Sequence, residues 1–441
     1  MAARGLKVLV LGGGGREHAL AWRLARDESV GSVLIAPGNG GTPAVGRNVP
    51  ALDPLDPDAV ARFAANERVS LAVIGPEAPL AAGLADALER ALVPVCGPTR
   101  AAARLETSKA FAKEQLRRAG IPTPASRAFV DRDAALDFVR RSEYAPVVKA
   151  DWLAAGKGVI VADSPIEAEE ALSTIFGLAA AGASVLLEER VTGREVSVFG
   201  LVSGRVVVPL GAACDYKRLR DADAGPNTGG MGAYSPVPWF GRGAVEQVAA
   251  EVLEPIAWQL ARAGTPYRGV LYAGMIITAD GPMVLEFNAR LGDPEAQVLL
   301  PLLGGDLGAA LLGVASGDRA LMEGAIRPPA EAAVGVVIAS EGYPDRPTEE
   351  RPILGAEPAE VSAGETLCYH GATRRTKDGY VATGGRVVTF VGRGIDLPAA
   401  RSTAYRSVAG VELTGAQYRT DVAARELPTA PQPGGPLTRA A

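Results

Sequence analysis

In the stretch VLEFNARLGDPE, residues 284–295, Glu286, Asn288 and Arg290 occupy every second position. Successive side chains of a strand point to opposite faces, so this spacing lines one face with a carboxylate, an amide and a guanidinium. Leu285, Phe287 and Ala289 take the other face. Glu286 and Asn288 offer oxygen ligands, which suit Mg2+, a hard cation held by one or two protein groups plus substrate phosphates. Arg290 on the same face suits neutralisation of a phosphoryl group in transfer. A plain salt-bridged strand end would use the same residue types.

Three further stretches carry polar chemistry on glycine-rich backbone. LVLGGGGREHAL begins at Leu9 and follows a first strand. A dinucleotide fingerprint there would need G-x-G-x-x-G and an acidic residue about 20 positions on. In both frames the third glycine is replaced, by Glu17 or His18, and the second strand ends in IAPGNGG without an acid. This speaks against a nicotinamide-dependent oxidoreductase. The glycines still let backbone N–H groups approach an anion at a helix N-terminus, with Arg16 beside them, which suits a phosphate-bearing substrate. KADWLAAGKGVIV, from Lys149, is not a Walker A motif: Gly158 follows Lys157 and the next element is a strand. A flexible glycine hairpin with lysines before and within it can still close over a triphosphate. RDADAGPNTGGMGAYSP, residues 220–236, reads as a specialised loop of the kind that binds substrate.

Composition bounds the rest. The chain has 441 residues, too many for one core, so two to four domains are expected. Net charge is −5, against non-specific binding to nucleic acid or an anionic membrane. Three widely spaced cysteines suit a reducing cytosol, and two histidines speak against a zinc site. The N-terminal apolar run Val8–Leu11 reads as a strand rather than a signal peptide, and no run of about 20 apolar residues exists.

The elements that must position these residues follow from periodicity. Residues 1 to about 100 alternate strands and helices, which implies a parallel, doubly wound sheet. ETSKAFAKEQLRRAGI reads as one helix, stopped by Gly120 and Pro122. Residues 145–162 read as strand, turn, strand; 184–208 as a long β region broken near Thr192 and Gly193; 272–288 as a hairpin turning at Asp280 and Gly281. Residues 330–425 read as short strands with turns, and the end of the chain as a disordered tail.

In this order, a lysine at Lys109, a lysine–glycine hairpin, a hinge with a downstream glutamate, and Glu-x-Asn on a late strand resemble the ATP-grasp enzymes. More narrowly, GGREHAL (14–20), APGNGGT (36–42), GPEAPL (75–80), AAGKGVIVA (154–162), GPNTGGMGAYSP (225–236) and EFNARLGDPE (286–295) resemble the phosphoribosylamine–glycine ligase (glycinamide ribonucleotide synthetase) family, over about residues 5–425. The resemblance implies an α/β and α+β multidomain fold. An N-terminal doubly wound (pre-ATP-grasp) domain would span 1–105, an ATP-grasp core 106–325 with a lid subdomain at about 123–190, a small C-terminal β-rich domain 326–425, and a disordered tail 426–441. It implies ligation of glycine to 5-phosphoribosylamine with conversion of ATP to ADP and phosphate, through a glycyl phosphate, in purine biosynthesis. Another ATP-grasp carboxylate–amine ligase is the alternative.

Residue by residue, the resemblance gives Lys109 and Lys149 to the ATP phosphates and Gly156, Lys157 and Gly158 to the lid. Glu188, Glu189 and Val191 fall to the adenine hinge, Glu195 to the ribose, and Glu286 and Asn288 to Mg2+ or Mn2+. Arg290 and Asp293, with Lys149, are the catalytic candidates. Gly15, Arg16, Glu17, Asn39, Gly41, Thr42, Glu77, Asp215, Lys217, Asn227, Thr228 and Gly229 are expected around the substrates. A cytoplasmic monomer with small-molecule substrates, and neither nucleic acid nor membrane, is expected. Two departures stand out: Trp152 replaces a family glycine beside the lid, and Tyr216 replaces a family histidine. HGATRR in the C-terminal region is longer than its family counterpart.

Overall fold

The computed structural model describes residues 5–427, apart from 143–144, 155–157, 181, 325, 328–329, 349 and 359–365. The strands Leu6–Gly12, Val30–Pro37, Arg47–Asn48, Leu71–Ile74 and Val95–Cys96 form a parallel five-stranded sheet. Leu6–Gly12 lies at its centre, and Val8, Leu9, Val10 and Leu11 are fully buried. Parallel strands are covered on both faces, so they read as continuous apolar runs instead of alternating ones.

The main sheet has eight strands and is antiparallel throughout. Its order is Gly281–Asn288, Arg268–Thr278, Arg194–Ser203, Val206–Asp215, Gly232–Ser235, Ala332–Ala339, Arg386–Gly394 and Thr366–His370. One sheet therefore runs from the metal-ligand candidates through to the C-terminal strands. The join is Gly232–Ser235, buried along its whole length. The expected loop at 220–236 thus contains a core strand, too short and glycine-led to show period-two patterning. A separate sheet, Ser126–Phe129, Val185–Glu188, Val147–Ala150 and Val159–Val161, carries the glycine hairpin and packs under the helices Arg132–Arg141 and Pro165–Leu178.

Other readings need correction. The expected single helix from Glu106 breaks at Ser108, which turns extended and accepts from the Phe111 N–H as cap of Lys109–Ala119. The C-terminal region is not all strand: Leu397–Val408 is a helix on the main sheet, capped by Asp396 with Pro398 in its first turn. The expected tail at 426 begins too early, because Glu426 accepts from the Tyr234 hydroxyl at 3.0 Å and pairs with Arg194.

The C-terminal strands reach back to the N-terminal sheet through two histidines. The His370 N–H donates to His18 Nδ1 at 2.9 Å, and the Asn39 amide donates to the His370 carbonyl at 2.7 Å. Gly41 lies against both rings, where a Cβ would come within 2.7 Å of each. His370 Nε2 donates to the Ala356 carbonyl at 2.7 Å, so its Nδ1 accepts from Thr373. Burial pushes His370 down to about 4, against the pull of the Ala356 carbonyl, and burial with the neighbouring ring holds His18 well below its ordinary value.

The sign of the linkage follows. The unfolded chain takes up a proton near 6.5, the folded His370 only near 4, so stability falls as pH falls through that window. Between about pH 7 and pH 5 His370 contributes a loss of about 2 kcal/mol. We expect urea unfolding of the His370→Gln protein, which keeps a donor toward Ala356, to lose that much less than wild type over the same interval. Equal slopes would show that His370 is not held neutral.

Candidate active site

The Gly281–Asn288 strand places Glu286 opposite Gly274 and Asn288 opposite Tyr272 on its neighbour. Just before Glu286 the ladder slips: Val284 pairs with Met275, so Leu285 is an extra, half-buried residue. The core face is therefore Val284, Phe287 and Ala289, and the expected place for Leu285 is wrong by this bulge. Bulges re-aim side chains at such sites. Burial pushes the Glu286 carboxyl up, but Lys109, Lys217, Lys149 and Arg290 together outweigh it and hold it below the usual range.

The lysines come from separate elements. Lys109 opens the Lys109–Ala119 helix. Lys149 lies on Val147–Ala150 and ion-pairs with Glu188 on the adjacent strand. Lys113, one turn beyond Lys109, reaches the other Glu188 oxygen at 2.5 Å and is only 2% exposed. Burial pushes Lys113 down to about 8 even with that carboxylate beside it. It also donates to Thr123 Oγ1 at 2.5 Å, which donates to the Val284 carbonyl at 2.7 Å. Lid sheet, helix and metal-candidate strand are thus bonded through one lysine. Glu188, expected near the nucleotide, has its carboxylate engaged by two lysines. The Glu189 N–H is taken by the Ala125 carbonyl at 2.8 Å, so only its carbonyl could meet an adenine amine. Glu195 is exposed and pairs with Lys217 at 2.6 Å, at the end of the strand that carries Asp215. Burial pushes the Asp215 carboxyl up to about 7, opposed by Lys217 and reinforced by Glu295 and Glu195.

Beyond Asn288 the chain enters a second cluster. Arg290 lies 2.8 Å from Glu106 and 3.3 Å from Glu77. The other Glu106 oxygen accepts the Ala289 N–H at 2.8 Å. Arg16 donates to the Leu291 carbonyl at 3.2 Å and to Glu17 at 2.6 Å. Glu17 in turn accepts the Gly14 N–H at 2.7 Å, and a side chain at Gly12 or Gly75 would run into it. That close approach explains the glycines around the first strand. Asp293 accepts from Gln297 at 2.7 Å.

The structure brings Arg16, Glu17, Glu77, Arg290 and Asp293 together at the junction of the two sheets. Other candidates also make hydrogen bonds within the scaffold. Asn39 donates to the Gly13 and His370 carbonyls and accepts from Gly41 and Thr42, so its polar groups hold the loop. The Thr42 hydroxyl donates to Asn48 at 2.7 Å. Thr228 donates to the Lys217 carbonyl at 2.9 Å, and the Gly229 N–H donates to the Tyr343 hydroxyl at 3.0 Å. Asn227 reaches the Val159 carbonyl of the lid sheet at 3.4 Å. Gly156 and Lys157 lie outside the described residues; Gly158, Val191 and Gly15 are described. Gly15 opens the Gly15–Leu24 helix.

Sequence reasoning missed Lys113, Glu106, Gln297 and Arg386. Lys113 was findable, four residues after Lys109 on one helix face. The others carry no local pattern. Both departures find a physical place. Trp152 is half-buried against the lid core. Tyr216 turns away from the site, accepting the Ala423 N–H at 2.9 Å under the Arg419 guanidinium.

The oxygen donors Glu286 and Asn288, facing several cations, fit a hard divalent ion that arrives with phosphates more than a stand-alone metal cage. Among the described residues no group of three or more His, Cys, Asp or Glu is poised to hold a metal.

Comparison with known proteins matches residues 6–106, 107–296 and 333–425 to the N domain, the ATP-grasp (A) domain and the C domain of phosphoribosylglycinamide synthetase. The phosphoribosylamine–glycine ligase of Streptomyces coelicolor is 47% identical, over 95% of this chain and 99% of that protein. The Leifsonia xyli ligase is 48% identical, over 95% and 100%. Among solved structures, the Thermotoga maritima phosphoribosylamine–glycine ligase is similar with a TM-score of 0.80 at 32% identity, over 94% of this chain and 100% of that one. A Campylobacter jejuni biotin carboxylase, with a TM-score of 0.69 at 14% identity over 93% and 92%, shares the fold alone.

Removing one partner of a buried charge pair leaves the other uncompensated. Glu106→Gln should therefore lower the unfolding free energy by about 3 kcal/mol in denaturant titration. A loss below about 1 kcal/mol would mean that Glu77 alone satisfies Arg290.

Proposed function

The chain belongs to the phosphoribosylglycinamide synthetase family, and on that footing we propose that it joins glycine to 5-phosphoribosylamine with conversion of ATP to ADP and phosphate, a step of purine biosynthesis. The observation that carries the reading is the convergence of Lys109, Lys149, Lys217 and Arg290 on Glu286, beside Asn288. A polyanion with its cation fits such a place, and acid–base chemistry alone would not need it.

In the first step a glycine carboxylate oxygen attacks the γ-phosphorus, the bond to the bridging oxygen breaks, and ADP leaves. Lys109 and Lys149 bind the phosphates, and Arg290 neutralises the charge that builds on the transferred group. Such a step needs in-line positioning more than proton transfer. Glu286 and Asn288 would hold Mg2+ or Mn2+, which when bound supplies charge neutralisation on the β- and γ-phosphates. In the second step the amine attacks the acyl carbon, phosphate leaves with the C–O bond electrons, and the proton lost by the amine goes to the departing phosphate. Water must be kept out, because an acyl phosphate hydrolyses, and the glycine-rich sequence between Lys149 and Val159 supports a closing role.

Glu77, Arg290 and Asp293 border the glycine position in this reading. Arg16 and the N-terminus of the Gly15–Leu24 helix would receive the ribose phosphate, with Asp215, Lys217 and the Asn227–Gly229 backbone on the opposite side. Val191 and the Glu189 carbonyl would meet the adenine, and Glu195 the ribose of ATP. The protein acts as a cytoplasmic monomer in this proposal.

ADP release should require glycine and phosphoribosylamine together, the latter generated in the cuvette from ribose 5-phosphate and ammonia. Glu286→Gln should lower that release by about 100-fold or more. Full glycine-dependent ADP formation by this variant would remove Glu286 from the metal site. Release with a different acid or amine would point to another carboxylate–amine ligase on the same fold.

A further inference from the structure

Arg386 opens the Arg386–Gly394 strand, two places along the main sheet from Gly232–Ser235. Its guanidinium reaches away from the C-terminal strands into the junction. Nη1 donates to the Gly229 carbonyl at 2.6 Å, to the Asp293 carbonyl at 2.6 Å and more weakly to the Gly230 carbonyl at 3.4 Å. Nη2 pairs with the Asp293 carboxylate at 3.1 Å. Gln297 holds the other Asp293 oxygen, so that carboxylate is fixed from both sides. A Cβ on Gly14 would sit 3.5 Å from it, which puts Asp293 beside the N-terminal glycine loop.

The loop is fitted to the guanidinium. A side chain at Gly229 would press on Arg386 Cζ at 3.1 Å. Gly230 adopts φ +109 and has Pro294 where a Cβ would stand. The same loop touches the lid sheet through Asn227 and Val159. Among the described residues none of the Arg386 hydrogen bonds or ion pairs goes to Lys109, Lys149, Glu286 or Asn288.

We propose that Arg386 is a positioning residue for the amine half of the ligation, tying the Asn227–Gly230 loop to Asp293 so that the acceptor amine is held over the glycyl phosphate. This rests on the ligation reading above. A planar guanidinium can bridge several carbonyls and a carboxylate at once; an ammonium at the end of a flexible stem can keep the ion pair but cannot span the set. The effect therefore falls first on the acceptor, and on glycine only as far as Asp293 borders it, with ATP binding left alone.

The test is steady-state kinetics of wild type, Arg386→Lys and Arg386→Gln, with ADP and ligated product counted separately. In Arg386→Gln, kcat/KM for phosphoribosylamine should fall by about tenfold or more while KM for ATP stays within about twofold. ADP should then exceed product, because the acyl phosphate waits longer for its acceptor. Arg386→Lys should fall between wild type and Arg386→Gln on both readouts. If Arg386→Gln fails to fold, Arg386→Lys carries the test, with at least about a fivefold fall in the amine parameter at unchanged ATP KM. An unchanged amine parameter, or equal losses for all three substrates, overturns the proposal. A wild-type protein without glycine- and amine-dependent ADP release overturns the ligation reading and this one together; a competent wild type leaves only the variant profile to decide.

Discussion

The Arg290 guanidinium sits where three parts of the chain meet. Glu77 comes from the N-terminal sheet domain, Glu106 from the short helix that follows it, and Arg290 from the turn after the Gly281–Asn288 strand. A buried cation left unpaired is costly, so these three segments are held in one arrangement. The Ala289 N–H on Glu106 fixes the backbone beside it, and the Arg16 bond to the Leu291 carbonyl brings in the N-terminal glycine loop. Much of the site geometry follows from that anchoring: once Arg290 is fixed, Glu286 and Asn288 are fixed on the strand before it and Asp293 on the turn after it.

Around this point the charges are arranged in two compartments. Toward the lid, Lys109, Lys149 and Lys217 surround Glu286, with Lys113 and Glu188 buried behind them. Toward the C-terminal strands, burial would push the Asp293 carboxyl up, but Arg386 and Arg16 hold it below its usual range. Several lysines gathered beside Glu286 are the kind of surroundings expected where a triphosphate and its metal ion are to enter. Glu188 keeps Lys149 in place without a ligand, so the site does not have to order that side chain at the moment of binding.

Glycine makes the close packing possible. Glu17 lies against Gly12 and Gly75, Gly41 against two histidine rings, and Gly230 against Pro294. At each place a side chain would push apart groups from different regions of the sequence. The glycine-rich stretches that suggest phosphate loops are thus partly interfaces. That is why Asn39 and Thr42, expected at the substrate, prove to have their polar atoms engaged by the scaffold.

The sequence by itself determined the repeating strand–helix pattern of the first hundred residues, the hairpin ending in Glu286 and Asn288, and Lys109 and Lys149 on the lid side. Each is encoded locally, by a periodicity of two or of about 3.6 or by a short motif. It did not reveal the bulge at Leu285, the Asp396-capped helix, or the Gly232–Ser235 strand that makes one sheet of two regions. Those depend on pairing with distant strands or on contact with a distant surface, which no short window contains. Glu106 and Arg386 were invisible for the same reason. Their charges have meaning only because folding carries them across 184 and 93 positions, to Arg290 and Asp293 respectively, and burial makes those encounters strong.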